Sequence, residues 1–149
     1  MGNFKESYLV SVLSNKCPRC RKGNIYASKS AYKFGQIVLM NKECPVCNQP
    51  TEIEVGFYYG TGYVSYALSV GFSVATLIAW WFTIGFSLDD NRFFWWMGIN
   101  AVVMLAIQPL FMRLSRTLWL SWFVSYDTKW EEHPIETPER VIPGQENNW

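Results

Sequence analysis

Two uncharged apolar runs, each long enough to cross a bilayer, and two C-x-x-C pairs ahead of them predict the fold class. The expected architecture is a membrane α-helical hairpin of two transmembrane helices. It carries a small β-type metal ribbon on its N-terminal side and an interfacial helix on its C-terminal side. The pairs are Cys17-Pro-Arg-Cys20 and Cys44-Pro-Val-Cys47, separated by residues 21–43, and the apolar runs cover about 63–86 and 93–112. These divide the 149 residues into an N-terminal segment (1–15), a ribbon (16–55), a hairpin with its interfacial extension (56–126, the extension being 113–126) and a flexible tail (127–149).

A mean hydropathy near zero conceals a segregated chain. Between Gly56 and Met112 the charged residues are Asp89, Asp90 and Arg92 alone. A net charge of +1 gives no global pull toward nucleic acid or an anionic surface. No cleavable signal is expected, because the N-terminus lacks an apolar core followed by small residues. Myristoylation at Gly2 is not expected either, since Glu6 stands where that motif needs Ser or Thr.

At a rise of about 1.5 Å per residue, roughly 20 apolar residues span a hydrocarbon core of about 30 Å. The short polar link Ser87–Arg92 makes the two helices antiparallel. Lys and Arg concentrate outside the hairpin, with Arg113 and Arg116 directly at the end of the second helix, so both termini are expected to be cytoplasmic. Trp80, Trp81, Trp95 and Trp96 then form an outer aromatic belt, and Tyr58, Tyr59, Tyr63 and Tyr66 an inner one. Ser65, Ser69 and Ser73 recur every fourth residue beside Gly71, Ala75 and Ala79, a seam along which helix backbones can approach in lipid. Pro109 is expected to kink the second helix near Leu105, and Asn100 and Gln108 need polar partners at membrane depth. No Asp, Glu, Lys, Arg or His interrupts either run, which argues against a pump or transporter.

Beyond Arg113, residues Trp119, Trp122, Phe123 and Tyr126 share a helical face. Two arrangements suit them: a helix bending along the inner leaflet, which is the expectation, or a long helix protruding toward a partner. The remainder holds three Pro and five Glu and reads as a flexible tail that includes the single His133. Glu54, close to the membrane approach, is expected to contact protein rather than lipid.

In a reducing compartment, two C-x-x-C pairs at this separation match a four-thiolate metal site better than disulfides. Cys17, Cys20, Cys44 and Cys47 are the expected ligands, with zinc as a structural ion and iron the lesser alternative. Gly23 and Asn48 supply residues that tolerate a left-handed backbone after each pair. Four protein thiolates leave no position for water, so hydrolysis at the metal is not expected. Short strands are expected at 24–28, 36–40 and 51–55. Lys16, Arg19, Arg21 and Lys22 cluster at the first knuckle, where lipid headgroups, RNA, an acidic partner or plain solvent would each suit them.

CPRCRKG at 17–23, CPVC at 44–47, EVGFYYGTGYVSYALSV at 54–70 and RLSRTLWL at 113–120 together resemble the bacterial family called domain of unknown function 983. The resemblance covers nearly the whole chain apart from its C-terminal tail. Many relatives have Gly after the last Cys, where this chain has Asn48. The resemblance, which is to the form found in Bacteroidota, implies a protein of the bacterial cytoplasmic membrane, and for some proteobacterial members of the family a neighbourhood of haem-copper oxidase assembly factors. The expected role is a non-catalytic accessory subunit or assembly factor, in contact with other integral membrane subunits and lipid. Glu54, Tyr58, Tyr59, Ser65, Ser69, Ser73, Gln108, Arg113 and Arg116 are the candidate contacts. A rubredoxin-like iron carrier, or a membrane-anchored ribbon docking RNA, ribosome or translocation machinery, are the alternatives; neither a small-molecule substrate nor nucleic acid is the expected ligand.

Overall fold

The computed structural model describes residues 7–33, 35–85 and 90–135. Gly2 and Glu6, residues 87–89 of the expected 87–92 link and the tail beyond 135 lie outside the described residues. Two long helices dominate. Helix α2 (Thr61–Ile84) follows a 3₁₀ turn at Phe57–Gly60, and α3 (Arg92–Phe123) returns alongside it. A short α1 (Tyr8–Leu13), unforeseen in the sequence, packs on α3 with Tyr8 hydrogen-bonded to Ser121 at 3.0 Å.

Continuous apolar sequence without a breaker propagates α2 until Gly85, whose positive φ of 84° ends it. Across the link, Arg92 donates to the Ile84 carbonyl at 2.9 Å and lies 3.5 Å from Asp90. Both helices are long and apolar enough to cross a membrane. They meet along a seam in which Phe72 and Phe111 pack edge to face at 5.8 Å. Asn100 finds the partners it requires there: it donates to Ser73 at 3.2 Å and accepts from Thr76 at 3.1 Å. Ser65, Ser69 and Ser73 are half-buried on the side toward α3, while Ala67, Gly71, Ala75 and Ala79 are exposed. Ser73 is therefore spent within the hairpin, while Ser65 and Ser69 line a cavity beside α3.

Three expectations are corrected. Residues 113–123 are not a separate interfacial helix; α3 runs on through Pro109 for 32 residues. At about 1.5 Å per residue it is roughly 48 Å long, well beyond a hydrocarbon core of about 30 Å. The excess buries Arg113, Ser115, Thr117 and Leu120, chiefly against the N-terminal module. Second, among the described residues no continuous strand forms. Isolated antiparallel bridges stand instead: Lys16 with Asn24, Tyr26 with Met40, and Glu43 with Pro50. Each knuckle turns back within a few residues, and the carbonyls that would extend the ladder are taken by α3. Third, the start of the tail is packed: the Asp127 amide donates to the Arg19 carbonyl at 3.1 Å, and Arg19 donates to the His133 carbonyl at 2.9 Å.

What takes those carbonyls is Arg113. Its Nε donates to Ile37 O at 2.7 Å, Nη1 to Ser28 O at 2.9 Å and Nη2 to Ser30 O at 2.7 Å. Tyr26 lies under the guanidinium, 4.6 Å from ring centroid to Cζ, and donates to the Arg113 carbonyl at 2.8 Å. Arg116 adds a bond to Val38 O at 3.1 Å and sits 5.0 Å over the Tyr58 ring. One turn beyond, Thr117 is fully buried and donates to Asn15 at 3.0 Å. Residues 28–30 and 36–38 are thus clasped to α3, and Tyr32 donates to Ala106 O at 2.9 Å, beside the carbonyl of Leu105 that Pro109 deprives of its helical donor.

Replacing Arg113 with Met removes the donors of a buried carbonyl cage and should cost on the order of 3 kcal/mol. A lowered melting temperature in detergent and new protease cleavage within 28–38 would show it. Arg113→Lys should recover only part, because an ammonium lacks the planar fork. Burial also pushes Tyr26 up to about 12, so its contribution to stability is complete below its ordinary value of 10.0 and is lost as pH rises from there toward 12. Denaturation followed across that range should show an alkaline decline that Tyr26→Phe flattens.

Candidate metal centre

Two knuckles present the thiols. In the first, the Arg21 amide donates to Cys17 O at 2.8 Å and the Cys17 amide to Gly23 O at 2.8 Å. The second repeats this, with the Asn48 amide on Cys44 O and the Cys44 amide on Gln49 O, both at 2.9 Å. The bridges Lys16–Asn24 and Glu43–Pro50 close the base of each knuckle. Asn48 adopts the left-handed backbone expected of it, at φ 55°. In the first knuckle that conformation belongs to Arg21, also at 55°, and not to Gly23. Gly23 is needed for a different reason: a Cβ there would overlap Cys44 Sγ.

All four sulfurs lie within 4.8 Å of one another, with Cys17 to Cys47 and Cys20 to Cys44 each at 3.7 Å. A tetrahedral ion bonded to sulfur at about 2.3 Å requires sulfurs about 3.8 Å apart, so the donor set fits such an ion. The cysteines are free and buried. Proton sharing with Cys20 and Cys44, together with burial, raises the Cys17 thiol, and accepting those protons lowers Cys20. Burial pushes Cys47 up to about 12. Burial thus opposes ionisation at Cys17 and Cys47, and a cation held among the sulfurs would favour it.

The surrounding core comes from distant parts of the chain. Ile25, Tyr26 and Met40 pack on the cysteines from within the module, Phe57 and Tyr58 from the approach to α2, and Leu120 from α3. Trp119 donates to Phe57 O at 2.8 Å and lies so close over Gly60 that any side chain there would overlap its ring. Outside the first knuckle, Arg19 is buried and 3.8 Å from Asp127. Burial by itself would raise Asp127, but hydrogen bonds from His133 and the Lys129 amide, with the charge of Arg19, hold its carboxyl below the usual range. Arg21 stacks on Tyr126 at 3.8 Å and Lys22 lies 5.4 Å from Trp130. Residues 126–134 therefore engage Arg19 and Arg21, while Lys22 stays exposed and Lys16 donates to Asn24 at 2.7 Å.

The four cysteines come together as expected. Of the candidate partner or lipid contacts, Tyr58, Arg113 and Arg116 turn inward: Tyr58 is 6% exposed with its hydroxyl on Thr51 O, Arg113 is 3% exposed, and Arg116 reaches into the module. Glu54 and Tyr59 are exposed, and Ser65, Ser69 and Gln108 line one cavity between α2 and α3. Tyr63 and Tyr66 face outward, as do Trp81 and Trp95, whereas Trp80 and Trp96 turn their indole N–H groups inside. Neither the spatial need for Gly23 nor the clasp of Arg113 has a sequence signature, since both are contacts between segments far apart in the chain.

Gly23→Ala should abolish metal retention as completely as Cys44→Ser, measured as ions per chain by elemental analysis. At an ordinary φ, Gly→Ala would otherwise be neutral or mildly stabilising.

No family model, curated protein or solved structure matches this chain, so the role of the site is argued from its own geometry.

Proposed function

We propose that this is a non-catalytic protein of the bacterial cytoplasmic membrane. In this reading a structural zinc ribbon locks the cytoplasmic end of a two-helix hairpin that serves a larger membrane complex as accessory subunit or assembly factor. Zinc suits four buried thiolates with no position open to water. The paired knuckles, each closed by one bridge, support a minimal ribbon. A site that needs its thiols reduced, and Lys and Arg concentrated outside the hairpin, support cytoplasmic termini. The resemblance to domain of unknown function 983 makes a respiratory oxidase the first complex to examine.

The observation that carries this reading is the outer face of α2. Ala67, Gly71, Ala75 and Ala79 are exposed at four-residue steps, and a Cβ on Gly71 would meet nothing within 4 Å. Such a face lets another helix approach closely, and two helices alone give it no neighbour. We prefer this reading to the docking of RNA at the first knuckle, where Arg19 is buried beside Asp127 and Arg21 stacks on Tyr126.

Gentle extraction should recover the protein with a defined set of membrane subunits, colourless and with one zinc. Gly71→Leu should reduce those subunits several-fold without changing metal content. A lone monomer or homodimer in native membranes would overturn the subunit reading, and ferric-thiolate absorption would replace zinc by an iron redox centre.

A further inference from the structure

Between α2 and α3, at the end nearer the four-cysteine module, lies a cavity of about 390 Å³ lined by Thr61, Ser65, Ser69, Gln108 and Arg116. It is unusually polar for a cleft flanked by two membrane-length helices. Two of its polar groups lack partners. Among the described residues nothing bonds to the side chains of Ser65 or Gln108, although an amide at this depth needs a partner when lipid surrounds it. Arg116 uses Nη1 on the Val38 carbonyl and keeps donors to spare.

A second cavity of about 260 Å³ adjoins the first, sharing Tyr66 and Ser69 with it. Apart from Ser73, which accepts a hydrogen bond from Asn100, its further lining is apolar and aromatic: Val70, Val74, Leu77, Trp96 and Met104. The two make one groove, cationic and hydroxylated at the module end and apolar toward the far end of the hairpin. Gly62 and the exposed Tyr66 edge its mouth, and a Cβ on Gly62 would meet nothing within 4 Å.

From this gradient we infer that the groove is a binding site for one anionic phospholipid. Its phosphodiester accepts from Arg116 and from the Ser65 and Gln108 side chains, and one acyl chain lies along Val70, Val74 and Leu77. A single cationic group beside neutral donors matches a phosphodiester bearing one negative charge, and the apolar extension excludes a free inorganic anion as the natural occupant. The inference rests on the hairpin spanning a membrane, but it does not require the partner complex. The small-residue face at Ala67, Gly71 and Ala75 is formed by other residues, so lipid and partner helix need not compete.

The full-length protein, purified in mild detergent from membranes of mixed phosphatidylglycerol and phosphatidylethanolamine, is examined by native mass spectrometry. One phosphatidylglycerol per chain should be retained, and millimolar inorganic phosphate should not displace it. Arg116→Gln should lower retention about tenfold, the factor expected for one charge-assisted hydrogen bond. Because Arg116 also holds Val38, Gly62→Leu is the second variant: it fills the mouth from open space and should reduce retention as much, with metal content and melting temperature unchanged. Unchanged retention in Gly62→Leu, equal retention of phosphatidylethanolamine, or a photo-crosslinker at Tyr66 that captures protein instead of lipid would each overturn the site. Alkaline carbonate extraction separates the two levels: release into the supernatant would sink the membrane reading itself, whereas a protein that stays in the pellet without lipid preference sinks the groove alone.

Discussion

A guanidinium at the mouth of an apolar helix must be solvated, and in this protein backbone carbonyls solvate it. Arg113 stands where α3 leaves its long apolar stretch, 3% exposed, with a separate carbonyl at each of its three nitrogens. Donors and acceptors satisfy each other without water, so the charge can be buried and the irregular residues 28–30 and 36–38 can be held without a ladder of their own. Much else follows from this clasp. Tyr26 lies beneath the guanidinium in the core, and Tyr32 reaches the helix carbonyls near Pro109.

The four-cysteine module is not an appendage on a linker. Its own apolar residues are too few to make an independent core, and Phe57, Tyr58 and Leu120 supply the remainder from the two helices. An ion at the four sulfurs would therefore organise the knuckles and also the surface on which the end of α3 rests. The requirement for a bare Cα at Gly23 belongs to the same crowding, because two knuckles that bring four sulfurs within 4.8 Å leave no room between them for a methyl group.

The faces of the hairpin divide the remaining work. The serine side of α2 serves the packing of α3 and the polar cleft beside it, while the alanine and glycine side is left bare. Asn100 is satisfied inside the hairpin by Ser73 and Thr76, whereas Gln108, on the same helix two turns nearer the module, opens into the cleft with Arg116. Two neutral polar residues of similar kind thus acquire different roles from their depth and from what α2 places opposite them.

Local order was legible from the residues themselves. Knuckle spacing identified Cys17, Cys20, Cys44 and Cys47, and unbroken apolar runs identified α2 and the first part of α3, because both depend on neighbours within a few positions. The continuation of α3 to Phe123, the inward turn of Tyr58, Arg113 and Arg116, the shortening of expected strands to single bridges and the packing of residues 127–135 on the first knuckle were decided by tertiary structure. Apart from the Tyr58 hydroxyl, which bonds Thr51, the groups whose local pattern suits a membrane surface or a β-ladder find better partners in distant parts of the chain. Periodicity reports which face of an element is apolar; it carries no record of which carbonyls a distant arginine will reach.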